Sequence, residues 1–189
     1  FKKFLHNSWM ILKSDKDLQI QLKTFFLAYG YLIALPFIIL DAQTKIELDG
    51  VAIGSLIPVK GYDLLIEASA LLKKRGGCFF VKIIGSGSHE EQLKKMVQNR
   101  GLENQIIFEG FVTNPYKMLK SADCFVMTSV SEANPTSLCE ALVLGKPSIV
   151  VDVPGCREII GNGSFGIMTV RSPLAFSIAM EELLTKPFL

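Results

Sequence analysis

The sequence predicts an α/β domain, a doubly wound parallel sheet with packed helices, and three observations carry that expectation. From Val51 onward, short apolar runs alternate at regular intervals with segments of helical periodicity, as in repeated βαβ units. Apolar residues make up 49% of the 189 residues and charged ones 20%, a balance that excludes intrinsic disorder. Glycine-bearing and polar stretches follow the apolar runs directly, where an open parallel sheet gathers its ligands.

Each element follows from local composition. Strands are expected at 51–54, 78–84, 105–109, 123–127, 147–151 and 165–169, all short and rich in Val, Ile and Phe. Helices are expected at 62–74, 89–100, 115–121, 137–144, 155–160 and 173–184. In the first of these Leu64, Leu65, Ala68, Leu71 and Leu72 fall on one face at helical spacing. The alternation amounts to a Rossmann-like doubly wound sheet over 51–189, without repeats or low-complexity sequence.

Residues 1–50 have a different character and no assigned role. Residues 25–40 carry neither a charge nor an amide and are bounded by Lys23 and Asp41. The run is shorter than the ~17 residues a membrane span needs at least. Pro36 would kink a helix within it, and Tyr29 and Tyr31 fall in its middle instead of at an interface. No small-residue cleavage site follows, which speaks against a signal peptide. Three readings stay open: a segment packed on the following domain, a membrane-associated tether, or a stretch not native to this fold.

Charge and cysteine usage exclude several function classes. Lys and Arg number 20 against 18 Asp and Glu, a net charge of +2 with no block of five like charges, so no nucleic-acid partner is expected. The four cysteines, Cys78, Cys124, Cys139 and Cys156, sit in apolar or small-residue contexts and read as reduced thiols in a cytoplasmic protein. With only His6 and His89 present, neither a histidine-rich metal site nor a Ser-His-Asp triad has enough residues.

Four turns carry ligand-binding signals. Gly161-Asn162-Gly163-Ser164-Phe165-Gly166 matches the dinucleotide pattern, but it follows a helix and leads into a strand, so it reads as a turn with a helix C-cap. Gly85-Ser86-Gly87-Ser88-His89-Glu90 has strand-to-helix context but Glu90 in place of the third glycine. Serine caps with Glu90 and Glu91 in the first turn account for it, and a nicotinamide enzyme is the minor alternative. In the first turn, Gly54 lets backbone approach a ligand, Ser55 offers a hydroxyl, and Lys60 can lie over an anion at the helix start. After the fourth strand, Glu132 and Glu140 flank Ala133-Asn134-Pro135-Thr136. The helix starting near Thr136 or Ser137 turns its free amides toward the strand tips. A diphosphate suits that end, a ribose diol suits Glu140, and sugar hydroxyls suit Glu132.

These segments resemble a known family. Gly54 to Ala68, Ile84-Gly85-Ser86-Gly87, Phe108-Glu109-Gly110-Phe111-Val112, the Glu132 to Glu140 stretch, and Gly145-Lys146-Pro147 with Asp152 to Glu158 occur in the order found in the donor-binding half of retaining glycosyltransferases of the GT-B fold, glycosyltransferase family 4. The resemblance implies a hexosyl-type transfer with retention, from a nucleoside-diphosphate sugar to a glycan or lipid-linked acceptor, with no bound metal and no cofactor. It implies Lys60 on the diphosphate, Glu132 on the donor sugar, Glu140 on the ribose, and backbone around Ala133, Asn134, Pro135 and Thr136 on sugar and phosphates. Gly54 and Ser55 belong to the same donor site, although Ser55 stands where many members carry arginine, and Ala133-Asn134 where many carry glycine and a bulky apolar residue. Polysaccharide assembly in the cytoplasm is implied, with the inner membrane face left open by residues 25–40. Fifty residues are too few for the amino-terminal acceptor domain of such enzymes, so the chain reads as the donor half without it. A nucleotide-binding or regulatory module without transfer is the alternative.

Overall fold

The computed structural model describes residues 47–185. The chain divides into two units, Phe1–Thr44 and Lys45–Leu189, and the described residues all belong to the second. The apolar run at 25–40 lies outside them. Among the described residues no helix is long and apolar enough to cross a membrane.

The strands are β1 (Leu48–Ile53), β2 (Phe79–Ile84), β3 (Ile106–Gly110), β4 (Cys124–Met127), β5 (Ser148–Val151) and β6 (Gly166–Thr169). The helices between and after them are α1 (Tyr62–Lys74), α2 (Glu90–Asn99), α3 (Tyr116–Ser121), α4 (Thr136–Val143), α5 (Pro154–Arg157) and α6 (Pro173–Thr185). β1 begins three residues earlier than its apolar run implied, because Leu48 pairs with Phe79 and continues the buried register. α5 is shorter than expected and gives way to a 3-10 turn at Gly161–Gly163. That turn, with Asn162 at φ 52, is the glycine run that mimics a dinucleotide fingerprint, and it leads into β6 as a connector.

All neighbouring strands are parallel, in the order β3-β2-β1-β4-β5-β6. β4 and β5 are buried along their whole length, as expected of a sheet covered on both faces. α1 packs on α2 and α6, and α4 on β4 and β5. Right-handed crossovers reverse direction between β3 and β4, so α1 and α2 share one face and α3 to α5 take the other. Leu65, Leu72 and Phe176 are fully buried where α1 and α6 meet the sheet. Each such side chain contributes roughly 1.5–3 kcal/mol by leaving water. Leu71, expected on the same face, is only half-buried.

The winding direction changes between β1 and β4, and a crevice therefore opens at their carboxyl ends. Gly61, at φ +62, closes the β1–α1 turn there, and a Cβ on it would stand 2.2 Å from the Thr128 carbonyl oxygen. Gly145, at φ +68 after α4, has nothing within 4 Å of the same position. Gly145→Ala should therefore cost only the left-handed backbone penalty of about 1–2 kcal/mol. Gly61→Ala should cost ~3 kcal/mol or more, since a backbone carbonyl cannot yield. Urea midpoints of the two variants measure the gap, and equal losses would refute the close contact.

Candidate active site at the β1–β4 crevice

The β1–α1 connection is anchored before it offers anything to a ligand. Leu56 is fully buried, its N–H donates to the Ser86 carbonyl at 2.9 Å, and its carbonyl accepts from the His89 N–H at 2.9 Å. Gly85 and Gly87 make that contact possible. A Cβ on Gly85 would lie 2.0 Å from the Gly54 carbonyl oxygen, and one on Gly87 2.4 Å from that of Leu56. The β2–α2 glycines thus serve loop-on-loop packing. Neither Ser86 nor Ser88 caps α2, whose N-cap is His89 without a side-chain hydrogen bond, because the loop is already tied to Leu56.

The 3-10 turn Pro58–Lys60 then delivers Lys60 to the crevice. Its Nζ donates to Glu132 Oε1 at 2.7 Å, joining a residue after β1 to one after β4. Lys60 keeps 26% of its side chain exposed and Glu132 only 7%, so the carboxylate is the buried partner. Ser129 Oγ donates to the same Oε1 at 2.6 Å. The two loops are also stitched through backbone: the Val130 N–H donates to the Val59 carbonyl at 2.8 Å, and Thr128 Oγ1 to that of Lys60 at 3.2 Å. Arg171 Nη1 adds a bond to the Thr128 carbonyl at 3.0 Å.

Glu132 is braced from behind by α5. A Cβ on Gly155 would lie 2.1 Å from the Glu132 carbonyl oxygen, so only glycine fits there. Next to it Cys156 is fully buried with its Sγ 3.6 Å from Met127 Sδ. Burial, reinforced by the Glu132 charge, pushes its thiol up to about 11. Burial also raises the Tyr62 hydroxyl well above the usual range, with Glu132 adding to it, and that hydroxyl donates to the Gly54 carbonyl at 3.2 Å.

Of the remaining sequence-predicted residues, Gly54 lies beside Lys60, where a Cβ on it would stand 3.6 Å from Lys60 Cε. Gly54 is half-buried and Ser55 exposed at the tip of β1, while Ala133, Asn134 and Thr136 are exposed and Pro135 buried. α4 starts at Thr136 with Pro135 as N-cap and no side-chain cap; the Thr136 N–H donates to the Asn134 carbonyl at 2.9 Å and the Leu138 N–H to that of Pro135 at 3.0 Å. Glu140, one turn into α4, is half-buried and accepts from Tyr116 Oη at 3.0 Å. A small void of about 10 Å³ lies among Lys60, Tyr62, Thr128 and Ser129. A larger cavity, of about 270 Å³, opens on the other side of the turn between α1 and α2 and does not include Lys60 or either glutamate. Among the described residues no cluster of three His, Cys, Asp or Glu could hold a metal.

Sequence reasoning missed Ser129, Tyr116, Gly155 and Arg171. A Ser three residues before Glu132 was a readable signal, whereas Tyr116 and Arg171 reach the site only through tertiary packing.

The chain matches known proteins in sequence and in fold. The profile of the family described as glycosyl transferases group 1 covers residues 47–188. The chain belongs to that family. A curated relative, poly(ribitol-phosphate) alpha-N-acetylglucosaminyltransferase of Staphylococcus aureus (strain COL), is 32% identical over 117 residues, which is 61% of this chain and 24% of that protein. The crystal structure of TarM superposes with a TM-score of 0.71 at 25% identity, covering 78% of this chain and 30% of its own. The pneumococcal O-GlcNAc transferase GtfA, solved with UDP and GlcNAc, gives 0.68 at 23%, covering 75% of this chain and 30% of its own. The sheet is thus the Rossmann-like fold of GT-B glycosyltransferases, and the chain spans about a quarter to a third of these relatives.

Two outcomes follow from the packing. Lys60→Ala strands a nearly buried carboxylate with a single serine donor and should cost about 1–3 kcal/mol in urea unfolding. An unchanged midpoint would mean the ion pair contributes nothing. Under native conditions at pH 8 a thiol reagent should label exposed Cys78 first and leave Cys156 unlabelled until the fold opens. Early labelling of Cys156, read by peptide mass, would contradict its burial.

Proposed function

We propose that this chain carries the donor-binding half of a retaining glycosyltransferase of family 4, moving a hexosyl unit from a nucleoside-diphosphate sugar to a glycan or lipid-linked acceptor. The observation that carries the reading is Lys60 Nζ held 2.7 Å from Glu132 Oε1 at the switch point between β1 and β4. A cation and a carboxylate fixed side by side at strand tips suit a ligand that is anionic at one end and polyhydroxylated at the other.

Transfer breaks the bond between the anomeric carbon and a diphosphate oxygen and forms one to the acceptor oxygen, whose proton leaves with the diphosphate. Charge gathers on the departing phosphate, and Lys60 and the positive dipole end of α4 supply the potential for it. In this reading the lysine provides the positive charge and no bound metal is needed. Glu132 accepts from donor-sugar hydroxyls, with Ala133, Asn134, Pro135 and Thr136 lining the same end. Gly54 and Ser55 face the diphosphate, and Glu140 accepts from the ribose.

The donor meets Lys60 and Glu132 already engaged with each other, so binding exchanges one charge-assisted contact for others. The poly(ribitol-phosphate) substrate in the name of the Staphylococcus aureus relative supports a role in polymer assembly, on the cytoplasmic side, where nucleotide sugars are the donors. The acceptor would be held by a second domain facing the crevice.

Thermal unfolding of the full chain with UDP, GDP, ADP and NAD tests the reading. A nucleoside diphosphate at 100 times its Kd should add about 2.7 kcal/mol of stability, lost in Lys60→Ala and Glu140→Ala. Stabilisation by NAD alone, or by none of the four, would overturn it.

A further inference from the structure

We propose that Tyr116 is a positioning residue for nucleoside recognition: its hydroxyl locks Glu140 so that the carboxylate presents one oxygen to one ribose hydroxyl. The inference rests on Glu140 being the ribose acceptor, as proposed above. Tyr116 is the first residue of α3 and Glu140 lies one turn into α4, so the contact joins two helices 24 residues apart in sequence. Tyr116 Oη donates to Glu140 Oε1 at 3.0 Å, and among the described residues nothing bonds Oε2. The carboxylate is thereby divided, with one oxygen committed to the protein and the other free.

The bond has little value as a stabiliser. Tyr116 is 47% exposed, so water competes for both partners. Its effect is on geometry. An unrestrained glutamate samples many rotamers, and ordering one on ligand binding costs side-chain entropy. A tyrosine reaches Oε1 with a rigid ring, and its start is fixed in turn by the Tyr116 N–H donating to Asn114 Oδ1 at 3.2 Å. The bond to Glu140 also raises the Tyr116 hydroxyl above its usual range, so it remains a donor throughout neutral pH. A phenol is a better choice here than a lysine, which would neutralise the carboxylate and weaken its acceptance of a sugar hydroxyl.

Binding of UDP and of its 2′-deoxy and 3′-deoxy forms to the full chain, by titration calorimetry, tests the proposal, with GDP or ADP and their deoxy forms used if either proves the better ligand. The wild-type chain should prefer the ribose form over at least one deoxy form by about tenfold, the size expected of one hydrogen bond to a charged group. Tyr116→Phe keeps the ring and should reduce that preference about threefold while leaving affinity for the discriminated deoxy form within about twofold. Glu140→Ala should abolish the preference. A Tyr116→Phe variant that weakens all forms equally, or none, overturns the positioning role while the nucleotide reading stands. A preference that survives Glu140→Ala overturns the ribose assignment and this inference with it. Absence of binding by all three nucleoside diphosphates overturns the nucleotide reading itself.

Discussion

At the carboxyl end of β4 the Thr128 carbonyl accepts from Arg171 Nη1 at 3.0 Å and leaves no room for a Cβ on Gly61, whose place would be 2.2 Å away. The turn after β1 is therefore pressed against the backbone of the strand beside it, with no side chain between them. The spacing of everything at the crevice follows from that contact. Val59 and Lys60 carbonyls come within reach of the Val130 N–H and the Thr128 hydroxyl, and Lys60 Nζ comes within reach of Glu132. A residue larger than glycine at 61 would lift the turn and separate the charged pair before altering any catalytic side chain. The β2–α2 loop holds the same turn from the other side through Leu56.

The charged pair gains from this rigidity. Salt bridges near a protein surface are weak when both side chains must be ordered to form them. Here the lysine leaves a closed 3-10 turn and the glutamate is pinned by Ser129 and by the carbonyl seated against Gly155, so most of the ordering is done by backbone. The consequence for a ligand is preorganisation. In the proposed reading, charge complementary to a diphosphate is held in place ahead of binding, and little must reorganise when a leaving group develops charge. Both glutamates share a further economy of design: Glu132 receives Lys60 and Ser129 on one oxygen, and Glu140 receives Tyr116 on one oxygen. Among the described residues, each leaves its second oxygen without a hydrogen bond from the protein.

How much of this was legible in the sequence depends on whether the cause was local. Helix α1 was read to its last residue, since the apolar spacing of Leu64, Leu65, Ala68 and Leu72 and the glycines on either side are all short-range signals. The start of β1 was missed because Leu48, Asp49 and Gly50 show no alternation; their strand character comes from pairing with β2, a contact thirty residues away in the chain. Lys60, Glu132 and Glu140 were singled out by their places around strand ends, and Lys60 and Glu132 do meet. Tyr116 and Arg171 were beyond reach, because an exposed tyrosine and a loop arginine have no pattern of their own until folding places α3 beside α4 and the segment after β6 beside β4.

Three glycine pairs show why a motif letter is weaker evidence than the space around it. Gly85 and Gly87 satisfy the first two positions of a dinucleotide fingerprint in the right strand-to-helix context, yet what stands at their Cβ positions is the backbone of Gly54 and Leu56. A pyrophosphate cannot share that approach with a packed loop. Gly161 and Gly163 also match, yet Gly163 faces open space and Gly161 only the Phe165 ring and the Ser164 Cβ, so their role is the positive φ of a connecting turn. Gly61 and Gly155 belong to no such motif, and they are the two that bring the ligand-facing loops together, each against a carbonyl of the β4–α4 loop or the strand end before it. The glycines that define this site are therefore recognised by which backbone they admit, and their substitution acts on Lys60 and Glu132 at one remove.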